Sequence, residues 1–90
     1  MNVEARDLWD RATLALRLAK HDLPMSADGA ASWAYYAAFY AVSALFAMEG
    51  RTFSKHITPA EAENGIGMAE KILYAVAEAH PDVFTGLPPK

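Results

Sequence analysis

Within six residues, Arg51-Thr52-Phe53-Ser54-Lys55-His56, the chain brings together an arginine, a lysine and a histidine. A histidine gives or takes a proton near neutral pH, and an arginine holds two oxygens of a phosphate or carboxylate through parallel hydrogen bonds. Arg51, Lys55 and His56 are therefore the parts of an anion site, and of an acid–base site if a reacting phosphoryl group is held there. A structural reading competes with this one. Arg51 and Lys55 follow an apolar helix, where positive charge offsets the negative end of the helix dipole, and His56 then packs or hydrogen-bonds in the turn before Thr58. Non-catalytic binding of a nucleotide or another small anion is the third reading of the same turn.

Tyr36 and Tyr40, with Tyr35 beside them, can stack on bases or donate hydroxyls to phosphate, so Tyr36 and Tyr40 join Lys55 as candidate substrate contacts. Aromatic residues on an enclosed helix are more often core, with their hydroxyls turned to buried partners. Arg6, Arg17 and Lys20 project near one another on the first helix and can extend a phosphate track, while Asp7 and Asp10 make the same region a mixed-charge face. Metal chemistry is not expected. His21, His56 and His80 are far apart in sequence, and Glu78 and His80 are two residues apart rather than the three or four that align ligands on a helix. The chain has no cysteine, which removes zinc fingers, iron–sulfur clusters and thiol nucleophiles. Gly65 to Gly67 is not a phosphate loop, and Ser32, Ser43 and Ser54 lack a nucleophile elbow. No cofactor is expected.

Ninety residues fit one domain. A chain of that length buries roughly 60–65% of its unfolded surface, which leaves its stability marginal unless association adds to it. A formal charge of -3 argues against broad attraction to nucleic acid or anionic membrane, so any such contact must be local. The charged, amphipathic N-terminus and the lack of cysteine fit a cytoplasmic protein.

The elements that carry these residues are helical throughout. Ala5, Leu8, Trp9, Ala12, Leu16, Ala19 and Leu23 recur at three- and four-residue steps, predicting a helix from Val3 to about His21; Leu14 and Leu18 fall off that stripe and imply a second covered surface. Pro24 and Gly29 break it, with Ser26 or Asp28 placed to cap the next helix. That second helix runs to about Met48 and is stopped by Gly50. Thr58-Pro59-Ala60-Glu61 has the spacing of a capping box and opens a third helix reaching about His80, with a break plausible at Asn64, Gly65 and Gly67. Residues 1–80 form the domain, and the proline-rich 81–90 reads as an extended, mobile tail.

The second helix is apolar on every side. Tyr35, Phe39, Val42 and Phe46 lie along one edge, Trp33, Tyr36 and Tyr40 along another, and alanines fill the rest, so the helix must be enclosed. Twenty uncharged residues from Gly29 to Met48 are long enough to span a membrane. Tryptophan, tyrosines and serines spread along the run argue instead for the central helix of a bundle, with no membrane partner. Two other helices cannot cover it on all sides, which predicts a homodimer with this helix near the seam.

From Asp28 to His56 the sequence resembles the HEPN superfamily, the small helical domains named for higher eukaryotes and prokaryotes nucleotide binding. The likeness lies in Ala30 to Trp33, then Tyr35-Tyr36-Ala37-Ala38-Phe39, the apolar Ala41 to Met48, Gly50, and Ser54-Lys55-His56. The resemblance implies an all-α helical bundle, here with three main helices per chain, completed by dimerisation. It also implies, for catalytic members, a metal-independent ribonuclease in which an arginine and a histidine, separated by four to six residues, face their dimer mates across a cleft. Arg51 and His56, four residues between them, meet that spacing. In catalytic members the pair usually opens a late helix, whereas here it follows the second. Many relatives are toxins paired with a nucleotidyltransferase-type antitoxin; others have lost the motif and act as interaction or nucleotide-binding modules.

Overall fold

The computed structural model describes residues 3–50 and 65–88. Three helices make up this part of the chain: α1, Val3–Asp22; α2, Ala27–Met48; and α3, Gly65–Ala79. There is no strand among the described residues. The bundle is all-α, as the periodicity predicts.

Local chemistry fixes the boundaries. Ser26 caps α2 in an extended conformation, its Oγ accepting from the Gly29 amide at 3.0 Å. Of the two candidate caps, Ser26 is the one used. At the other end Glu49 donates its amide to Leu45 O, and Gly50 turns away at φ 72°, a left-handed conformation that glycine adopts without the clash a Cβ would bring. The third helix is described from Gly65, φ 58°, one of the positions where the sequence suggests a break, and it reaches Ala79, beside the expected end at about His80. The Thr58–Glu61 capping box lies outside the described residues.

α2 is the middle element, packed against α1 along its length and against α3, whereas α1 and α3 touch far less. The connection between α1 and α2 is short, which makes them a helical hairpin. Lys20 near the end of α1 meets Glu70 near the start of α3 at 3.7 Å, and Glu49 after α2 meets His80 after α3 at 3.6 Å. α3 therefore runs antiparallel to α1 and parallel to α2.

The face of α2 that meets its neighbours is made of alanine: Ala30, Ala34, Ala37, Ala38, Ala41 and Ala44 are all buried. Opposite them α1 contributes Ala5, Trp9, Ala12, Ala15, Leu16 and Ala19. Small side chains on both surfaces let the helix axes approach closely. Within the described chain α2 is enclosed on its alanine face only; Tyr36 is 47% exposed, Trp33 is exposed, and Tyr35, Tyr40 and Val42 are half-buried. The second covered surface expected on α1 is also absent at Leu14, which is 50% exposed, and Leu23 lies beyond the helix end in the solvent. By length and composition α2 could cross a membrane, and its alanine face is packed against α1 and α3.

The proline-rich tail carries no helix and yet is docked. After α3 the chain turns, with Val83 and Phe84 amides donating to His80 O, and Phe84 enters the core beside Trp9, ring centroids 5.0 Å apart. The Trp9 indole donates to Thr85 O at 2.8 Å, Arg6 donates to Val83 O and to Thr85 Oγ1, and the Tyr74 hydroxyl donates to Pro88 O. Prolines exclude a helix but do not exclude docking, and one aromatic with three backbone anchors suffices to hold the segment down. Residues 81–88 thus form a strap across α1 and α3.

Candidate functional site

Arg51, Lys55 and His56 lie outside the described residues. What the structure fixes is the point from which their segment departs. α2 ends at Met48, and the left-handed Gly50 sends the chain off the helix axis immediately before Arg51. The carbonyl end of a 22-residue helix faces that departure point, a partial negative charge that favours cations in the next residues.

The same end of the bundle gathers the first turns of α1, the end of α3 and the strap. His80 is there, its Nε2 3.6 Å from a Glu49 carboxylate oxygen and its ring edge-on to Phe84 at 5.8 Å. Both partners are partly buried, and a carboxylate so placed orients an imidazole. Sequence reasoning weighed His80 only as a metal ligand and passed over it. Its spacing from Glu49 gave no signal, because the contact depends on α2 and α3 ending side by side. Arg6 sits at this end too, bridging Asp10 at 3.3 Å and the strap. Among the described residues no three His, Asp or Glu side chains come together as metal ligands would.

The tyrosines are placed differently. Tyr36 and Tyr40 stack on each other, centroids 6.3 Å apart, and Tyr36 also meets Trp33 and Tyr35 edge-on. Tyr36 and Trp33 stand on the exposed side of α2, whereas Tyr40 is partly buried and packs against the core. At 1.5 Å per residue, Tyr40 lies about 15 Å and Tyr36 about 21 Å along the helix from Gly50. The described part of the chain therefore does not bring them to the end where Arg51 begins.

A family comparison gives this geometry its context. Residues 5–62, well over half of the chain, match the HEPN domain. The chain belongs to the HEPN domain family. The matched stretch takes in α1 from Ala5, the whole of α2 and Arg51 to His56, whereas α3 and the strap lie beyond it. No curated protein and no solved structure gives a significant match. The all-α bundle expected of a HEPN domain is the one observed.

Proposed function

We propose that this HEPN protein is a metal-independent ribonuclease of the toxin type, with Arg51 and His56 as its catalytic pair and Lys55 as a second phosphate contact. The observation that carries the reading is that Arg51 and His56, four residues between them, both fall inside the stretch that matches the HEPN domain. Cutting RNA without a metal needs a base for the 2′-hydroxyl proton, a cation for charge developing on the phosphate oxygens and an acid for the leaving oxygen. His56 supplies proton transfer and Arg51 the bidentate hold on phosphate. In a homodimer the site is doubled, so that one His56 acts as base and its mate as acid. A nucleotidyltransferase-type antitoxin is the partner such a toxin would have, acting in the cytoplasm, with α2 the central helix of a bundle rather than a membrane span.

The second reading is a catalytically silent interaction module, favoured by the exposed Trp33 and Tyr36 on the outer side of α2. One experiment separates the two. Wild type and His56→Ala are incubated with a mixed single-stranded RNA in EDTA, and the oligomeric state is measured on the same samples. Cleavage by the wild type that disappears in the variant is the expected result. An intact RNA pool from a well-folded dimer would refute the ribonuclease and favour the interaction module.

A further inference from the structure

Along α1, Arg6, Asp10, Thr13, Arg17 and Lys20 recur at steps of four, three, four and three residues, which sets them in one stripe down a single flank. The strap runs beside that flank. Together they line a cavity of about 340 Å³, with Leu16 and Leu87 as its apolar surface and Thr85 at one end. Sequence alone could suggest the stripe. It could not show that the strap, expected to be a loose tail, converts an open helix face into a groove.

The charges in this groove are unequal in number and in engagement. Three cations line it against one carboxylate, Asp10. Asp10 is already taken by Arg6 at 3.3 Å, and Arg6 is itself fixed by the strap. Lys20 reaches Glu70 only at 3.7 Å, an exposed pair worth little. Arg17 has no hydrogen-bond or ion-pair partner among the described residues. A guanidinium beside a second cation, walled by apolar carbon and hydroxyl groups, is matched by an anion with several acceptor oxygens.

We propose that this groove binds a phosphate group, held by Arg17 with Lys20 as the second cation. Thr13 and Thr85 offer hydroxyls to the remaining oxygens, and Leu16 and Leu87 receive the organic part of the ligand. Lys20 and Pro88 also border a second cavity of about 680 Å³ toward α3, where Lys71 and Tyr74 stand beside the carboxylates of Glu70 and Glu78, so the uncharged part of a ligand larger than free phosphate has room to extend. The proposal needs neither Arg51 nor His56, and it stands or falls apart from the ribonuclease reading.

The test is calorimetric titration of the full chain, in EDTA and low salt, with pyrophosphate, adenosine monophosphate and a 2′-O-methyl tetraribonucleotide that cannot be cut through its 2′-oxygen. Wild type is compared with Arg17→Glu and with Arg11→Glu, the same charge change on another side of α1, where Arg11 pairs with Asp7 at 3.3 Å. Loss of the charged bidentate contact is expected to weaken binding at least about tenfold in Arg17→Glu, with Arg11→Glu within about threefold of wild type. Preference for pyrophosphate, for the monoester or for the oligonucleotide identifies the source of the phosphate, and each supports the groove. Failure of all three probes to bind at millimolar concentration overturns it. Equal weakening by the two charge reversals also overturns it, because that result reports the field of the whole helix and not a site.

Discussion

Replacing Phe84 by alanine is expected to remove a large share of the stability of this domain. Its side chain is 2% exposed, with the Trp9 ring on one side at 5.0 Å and the His80 ring on another at 5.8 Å. Truncating a buried phenylalanine costs about 3–5 kcal/mol, from lost burial and from the cavity left behind. A domain of ninety residues has about 5–13 kcal/mol in total, so the change consumes between a quarter and all of it. At about 4–8 °C per kcal/mol, the melting temperature falls by about 12 to 40 °C. Urea denaturation followed by circular dichroism measures the loss, with Phe84→Leu as the conservative control expected to cost less than about 1.5 kcal/mol. A loss below about 1 kcal/mol for Phe84→Ala, close to what an exposed site would give, would mean that the strap is not part of the core in solution. The phosphate groove would then have lost one of its walls.

Two further substitutions probe the helical frame. Ser26→Ala removes the oxygen that accepts from the Gly29 amide and is expected to cost about 1 kcal/mol in urea denaturation; a change under a few tenths would show that the cap is not formed. Ala41→Leu forces extra carbon into a position with 0% exposure on the α2 seam and is expected to cost at least about 1–3 kcal/mol, whereas Tyr36→Ala on the outer side of the same helix stays within about 0.5 kcal/mol at low protein concentration. Similar losses for the two would contradict the alanine face as the packing surface.

Much of this frame could be read from the chain. Ser26 and Gly50 mark the ends of α2 because capping and left-handed turns depend on a few adjacent residues, and those residues carry the signal themselves. The stripe of α1 through Trp9 and Leu16 is equally local, since its period alone decides which side is buried. The inward face of α2 was not legible. Size and hydrophobicity favoured Trp33 and Tyr36 for the interior, yet packing selected the alanines with Tyr40 at their edge, because close helix approach favours small side chains over rings that hold the helices apart. The docking of Phe84 and the His80–Glu49 contact were hidden for a different reason. Both join segments distant along the chain, and nothing within either segment points to the other. Of the candidate site, Arg51, Lys55 and His56 are visible in sequence and fall inside the stretch that matches the HEPN domain, and they lie outside the described residues.

The composition of the core bears on why this domain would pair. Among the described residues, eleven of the sixteen buried apolar side chains are alanine, and only Trp9, Leu16, Leu73, Val76 and Phe84 are larger. Burying an alanine methyl contributes about 0.8 kcal/mol, against about 1.5–3 kcal/mol for a larger aliphatic or phenylalanine side chain. The alanine seam therefore achieves closeness at the expense of hydrophobic stabilisation, and the aromatics that could supply it stand on the outer side of α2. Trp33 is 36% and Tyr36 47% exposed, so covering the remainder of these two rings would add hydrophobic stabilisation that the single chain leaves unused. Association over that surface would recover it, which supports the homodimer proposed above and gives a physical reason for it independent of catalysis. If the active unit is the dimer, these aromatics contribute to function by holding two Arg51 to His56 segments in one assembly, and Tyr36 and Tyr40 then act at the seam and not as substrate contacts.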